Sequence, residues 1–174
     1  MRVAVVGKTH MYADRDGLSR LVLSPESAQA HYAAEAGFEP FERDDGIHPY
    51  SGHDPHPRYN DYLRAQGFGG ENPWEEWANA AEGDEGELLS GWFLKNAMRP
   101  ARVPEQHSET PYITNRAMDF IRSAGATPWL MHLSYIKPHW PYIAAAPYNA
   151  LYGEKDILPA VRSETERRDP HPVY

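Results

Sequence analysis

The chain has 174 residues, a formal net charge of −8, 41% apolar and 12% aromatic residues, and no cysteine. That length suits one domain or part of one, and the apolar content supports a packed core rather than disorder. The acidic balance without a basic patch speaks against a nucleic-acid partner, no apolar run reaches membrane-spanning length, and the lack of thiols excludes disulfides and cysteine-bound metal.

Residues 2–7, Arg2-Val3-Ala4-Val5-Val6-Gly7, form a short apolar run that reads as a buried strand. It is too short for the apolar stretch of a signal peptide. Lys8-Thr9-His10 follow directly. Residues 11–17 read as a loop. Its Asp14 and Asp16 could meet a cation, although turns are rich in Asp and Gly for backbone reasons alone. Ser24-Pro25 signals a helix start, and Gly37 a helix end after Ala36. Residues 38–43 fit an edge strand, because Pro40 cannot donate to a ladder on both sides. Residues 47–57 are proline-rich and carry His48, His53 and His56. Zinc needs three or four convergent ligands. These histidines lack helical spacing, so a surface loop near the mouth of a site is the better reading.

Residues 58–66 predict a short helix with Tyr59, Tyr62 and Leu63 on one face. Asn72-Pro73 signals another start, with Trp74, Trp77, Ala78 and Ala81 sharing a face suited to packing. Residues 81–87 are an acidic turn, 90–96 a short apolar element of undetermined type, and 100–106 a connection. Thr110-Pro111 opens the clearest helix. Ile113, Ala117, Phe120, Ile121 and Ala124 make its apolar stripe, and Gly125 ends it. After a three-residue connection, residues 129–136 form an apolar run that reads as a strand covered on both faces. Pro138 stops it, leaving Lys137 and His139 as the first charged or titratable groups beyond it. Residues 147–152 suggest one helical turn, and 163–168 a charged, exposed stretch.

A helix, a short loop and a buried strand make half of a βαβ unit. The expected class is α/β, with a mixed, mainly parallel sheet flanked by helices. In such sheets ligands gather at the carboxyl ends of strands. Two strands here each deliver a lysine and a histidine at that end, a pairing suited to an anion. Two unrelated strand ends with solvated charges would look the same on spacing alone. A phosphate-loop reading of Gly7-Lys8-Thr9 fails, because Arg2 stands where the motif needs its first glycine. No Gly-x-Ser-x-Gly elbow is present.

Gly7-Lys8-Thr9-His10 resembles the glycine-lysine-x-histidine segment of sulfatases, and Lys137-Pro138-His139-Trp140-Pro141 resembles their lysine-proline-histidine-x-proline segment. Between them, His107-Ser108-Glu109-Thr110-Pro111 through Phe120-Ile121 is similar to the helix before that second segment. The wider group is the alkaline phosphatase-like hydrolases, including phosphonate monoester hydrolases. The resemblance implies that fold, incomplete here, and hydrolysis of a sulfate ester or of a phosphonate or phosphate monoester. Lys8, His10 and His139 would then be catalytic: Lys8 a point charge on an ester oxygen, His10 a partner or base for the nucleophile, and His139 a donor to the ester or leaving oxygen. Lys137 would help bind a small anionic substrate.

The family also holds a divalent metal, commonly calcium, and a formylglycine made within a cysteine-x-proline-x-arginine segment. Neither that segment nor the metal ligands can be assigned in this sequence. The expectation is therefore that residues 1–174 form an interior part of one catalytic domain, inactive alone. A non-catalytic anion-binding or scaffold protein on the same fold is the alternative. A homo-oligomer is compatible with either reading, and the compartment stays open, with a cytoplasmic location slightly favoured.

Overall fold

The computed structural model describes residues 1–9, 15–25, 27–45, 58–161 and 163–170. In chain order its regular elements are β1 (Arg2–Gly7), α1 (Arg15–Arg20), α2 (Ala28–Ala34), β2 (Glu39–Arg43), α3 (Arg58–Ala65), β3 (Ala80–Glu82), β4 (Leu88–Ser90), β5 (Pro100–Ala101), α4 (Glu109–Ala124), β6 (Trp129–Ser134), β7 (Ala144–Ala145) and α5 (Glu164–Arg168). One turn of π-helix, Trp74–Ala78, precedes β3.

The first sheet is parallel, in the order β2-β1-β6. Pairing of β1 with β6 runs in register from Arg2 opposite Trp129 to Gly7 opposite Ser134. β1 is central because Ala4, Val5 and Val6 are fully buried apolar residues with nothing polar to place in the sheet. β2 takes the edge that Pro40 requires. Arg2 clamps the start of both strands: its guanidinium donates to Glu39 through Nε at 2.7 Å and Nη2 at 2.5 Å. That bond holds the Glu39 carboxyl below its usual range.

The helix α4 packs on β1 and β2. Of the stripe read from the sequence, Ile113, Ala117, Phe120 and Ala124 are buried, whereas Ile121 is 42% exposed. Phe120 meets Phe41 and Trp129 edge-on, with ring centroids 5.4 and 5.9 Å away. Gly125 closes the helix at φ +56.

A second sheet, in the order β4-β3-β5-β7, was not anticipated. Its strands are two or three residues long, too short for an alternating pattern to stand out. One core joins the two sheets, from Val6 on β1 through Tyr59, Trp74 and Ile113 to Ala101 on β5 and Ile143 before β7.

Several expectations need correction. Helix α1 begins inside the expected loop, at Arg15, and places Asp16 exposed in its first turn. The cap of α2 is Ser27, not Ser24. Its hydroxyl accepts from the Ala30 amide, while Ser24 supplies a carbonyl to the turn before it. Trp74, Trp77 and Ala78 share one helical turn, but Ala81 lies on β3 instead. The largest correction concerns β6. It was expected to be covered on both faces, yet among the described residues it is the second edge of its sheet, with Trp129 and Leu130 41% and 48% exposed. An apolar run signals burial but cannot say which element covers it. None of the described helices is long and apolar enough to cross a membrane.

Candidate functional site

Because β1 and β6 are parallel neighbours in register, their carboxyl ends lie side by side. Gly7 ends β1 at φ +101, a backbone region open to glycine and strained for other residues. A β-carbon there would stand 1.8 Å from the Ser134 carbonyl oxygen. The glycine therefore permits the two chains to touch where both turn out of the sheet. The Lys8 amide then donates to that same Ser134 oxygen at 3.1 Å. Sequence and packing thus bring Lys8 and the Lys137–His139 segment to one edge.

The expected site residues differ in setting. Lys8 is 8% exposed at the end of β1. Lys137 is half-buried, and its Nζ donates to the Pro141 carbonyl at 2.8 Å. Burial pushes its ammonium below the usual lysine range, against the opposing pull of the Glu109 carboxylate. It does not point freely along the strand to solvent. His139 is exposed, in a turn whose amide donates to the Ile136 carbonyl, and its Nδ1 lies 2.5 Å from the Trp140 carbonyl oxygen. His10 lies outside the described residues, as do Asp14, His48, His53 and His56.

Beside Lys137 opens a cavity of about 650 Å³, within the range of small-molecule sites. It lies between the first two turns of α4, the strands β5 and β7, and the Lys137 segment. Because α4 leads into β6, the start of the helix is necessarily at the carboxyl edge of the sheet. The buried Glu109 borders the cavity and accepts from Trp74 Nε1 at 2.8 Å. Tyr59 Oη donates to the His107 carbonyl at 2.7 Å and Tyr62 Oη lies 2.8 Å from His107 Nδ1, tying α3 to the helix start. The sequence drew attention to Glu109 only within a helix start. What it could not show is that Trp74, 35 residues away, supplies the buried carboxylate with a donor.

A second charged cluster sits at the end of β2. Glu42 is 2% exposed, and burial raises its carboxyl to about 7 despite Arg58, Arg116 and the Tyr112 hydroxyl, which favour the charged form. Tyr112 is itself held above its usual range by burial and by Glu42. Arg43 bridges Glu35 and Asp45. Among the described residues no three His, Cys, Asp or Glu side chains converge to hold a metal ion. Glu35, Glu42 and Asp45 face guanidinium groups, so the described residues do not fit a divalent cation.

No protein-family model matches the chain. It is 35% identical over 66 residues to the multifunctional alkaline phosphatase superfamily protein PehA of Trinickia caryophylli, a stretch covering 38% of this chain and 13% of that protein. Its fold matches phosphonate monoester hydrolase SpPMH from Silicibacter pomeroyi with a TM-score of 0.61, at 18% identity, over 94% of this chain and 28% of that one. The chain therefore spans under a third of the length of either. With β1, α4 and β6 arranged as the motifs around Lys8 and Lys137 lead one to expect, the chain has the alkaline phosphatase-like fold of SpPMH and a local sequence likeness to PehA of the alkaline phosphatase superfamily.

Proposed function

We propose that the chain forms the anion-binding side of a hydrolase site acting on phosphonate, phosphate or sulfate monoesters. The observation that carries this reading is the register of β1 and β6, which sets Lys8 and the Lys137-Pro138-His139 turn at one edge of a parallel sheet. Transfer of such a group spreads negative charge over its equatorial oxygens, and fixed cations aimed at them lower the barrier. Lys8 supplies a point charge, held in place because its stem is buried. On this reading His139, on an exposed turn, gives a proton to the leaving oxygen. Lys137 adds positive potential at the cavity mouth, and His10 is assigned to the nucleophile's side.

Phosphonate or phosphate esters are favoured over sulfate by the likeness to phosphonate monoester hydrolase SpPMH and to the alkaline phosphatase superfamily protein PehA. The resemblance implies a formylglycine made within a Cys-x-Pro-x-Arg or Ser-x-Pro-x-Arg segment, and the sequence holds neither, so on this reading the attacking group comes from outside these residues. A non-catalytic anion binder on the same fold shares the same edge and differs only in turnover.

The test compares thermal unfolding of the chain with and without inorganic phosphate, phenylphosphonate and sulfate, for the parent, Lys8→Met and His139→Ala. An anion-induced rise in Tm that both substitutions diminish is the expected result. A rise of equal size in all three proteins rules out the site assignment. Metal-dependent ester hydrolysis by the purified chain would overturn the inference that the nucleophile lies elsewhere.

A further inference from the structure

The cavity beside Lys137 has a chemistry of its own. Its inner wall is apolar, built from Ala78, Val103, Ile143 and Ala145. All four are less than one-tenth exposed. Its charged groups are largely engaged with one another. Lys137 donates to the Pro141 carbonyl and faces the Glu109 carboxylate, which in turn accepts from Trp74. Two of its hydroxyls are spoken for as well. Ser108 Oγ donates to the Glu105 carbonyl at 2.8 Å. Thr114 Oγ1 donates to the Thr110 carbonyl at 2.8 Å and lies 2.9 Å from the Tyr135 hydroxyl. Among the described residues, the free hydrogen-bonding side chains of the lining are those of Glu105, Thr110, Asn115 and Tyr148, none of them buried and none part of the apolar inner wall.

A ligand's affinity here must come from apolar area, with one or two polar atoms satisfied at the rim. A sugar would bring several hydroxyls against an inner wall that offers them no partner, and each unpaired group there would weaken binding. A second anionic group is disfavoured too, because Glu105 and Glu109 set two carboxylates against the single ammonium of Lys137.

We infer that this cavity seats the organic group of the ester, and that this group is an uncharged, chiefly apolar alcohol of aryl or short alkyl type. The inference rests on the hydrolase reading for the word "ester", while the chemistry of the cavity stands independently. The anion would lie at the strand ends and the apolar group would extend under the start of α4. Specificity for the alcohol would therefore be set by residues of α4, β5 and β7, with Lys137 at the junction between the cavity and the anion.

The experiment uses the whole chain and three probes: benzyl alcohol, glycerol and inorganic phosphate. Saturation-transfer NMR follows the two alcohols, and thermal unfolding follows phosphate. Two variants obstruct the cavity, Ala144→Phe from its wall and Thr110→Trp from its exposed mouth. The expected result is a benzyl alcohol signal in the parent, none from glycerol at equal concentration, and at least a tenfold weakening in both variants. The phosphate-induced rise in Tm should be unchanged. If Ala144→Phe loses its cooperative melt, Thr110→Trp decides, since its site is on the surface. No benzyl alcohol binding, equal binding of glycerol, or a benzyl alcohol signal that survives Thr110→Trp overturns the inference. Benzyl alcohol binding blocked by the variants, with no response to phosphate in the parent, leaves the apolar-alcohol cavity standing and removes the hydrolase reading.

Discussion

Replacing Glu42 by glutamine isolates what one buried carboxyl does to stability. Glu42 lies almost wholly out of water between the end of β2 and the helices α3 and α4. The groups that face it are Arg58, Tyr112, Arg116 and Asp44. Burial dominates, and the carboxyl rises from 4.5 to about 7. A group whose folded value lies above its unfolded value stabilises the fold fully below the unfolded value and loses that contribution as pH rises through the folded one. Here the window runs from 4.5 to about 7. At about 1.4 kcal/mol per unit, the loss across it is about 3 kcal/mol. Glutamine resembles the protonated acid and does not titrate. Urea unfolding followed by circular dichroism, repeated from about pH 4.5 to about pH 8, should show Glu42→Gln gaining about 3 kcal/mol on the parent as pH rises. A stability difference that stays constant across that range would refute the reasoning, because it would mean that Glu42 carries its charge in the fold at every pH tested.

Gly7→Ala should cost about 3 kcal/mol or more, because it combines a left-handed backbone with a clash against the Ser134 carbonyl. The same variant should weaken the phosphate response, and an unchanged Tm would show that the two strand ends part readily. Phe120→Ala removes a fully buried ring between Phe41 and Trp129, and should cost about 3–5 kcal/mol in urea unfolding. A loss below about 1 kcal/mol would mean that the α4 face of the sheet is not well packed there.

Local patterns carried much of this fold. Val3 to Val6 read as a buried strand, Pro40 pointed to an edge, and the spacing from Ile113 to Ala124 marked one face of a helix. The two Lys-containing strand ends were legible for the same reason, since polar residues stand out after an apolar run. What escaped was set by partners distant in sequence. Two-residue strands such as β5 and β7 owe their existence to pairing with each other and with β3, not to any local preference. The raised carboxyl of Glu42 depends on α3 and α4 closing over β2, which no window of sequence around Glu42 records. The cavity, likewise, is a product of where α4 starts relative to β7. Four of its wall residues, Ala78, Val103, Ile143 and Ala145, lie far apart in sequence and carry no chemistry that would have drawn notice.

The outer side of β6 has a colloidal consequence. Along Trp129-Leu130-Met131-His132-Leu133 the strand carries no formal charge with histidine neutral, no proline and no bulge relative to β1, and its outward amides and carbonyls have no ladder partner among the described residues. Soluble proteins guard such margins with lysine, proline or a covering segment, because a bare one templates the addition of another strand. The guards here, Lys137 and Pro138, come only after the strand has ended. Concentrated solutions of the chain should therefore self-associate through this margin, and a lysine placed at Leu130, which is already half in water, would be the mildest way to keep the molecules apart.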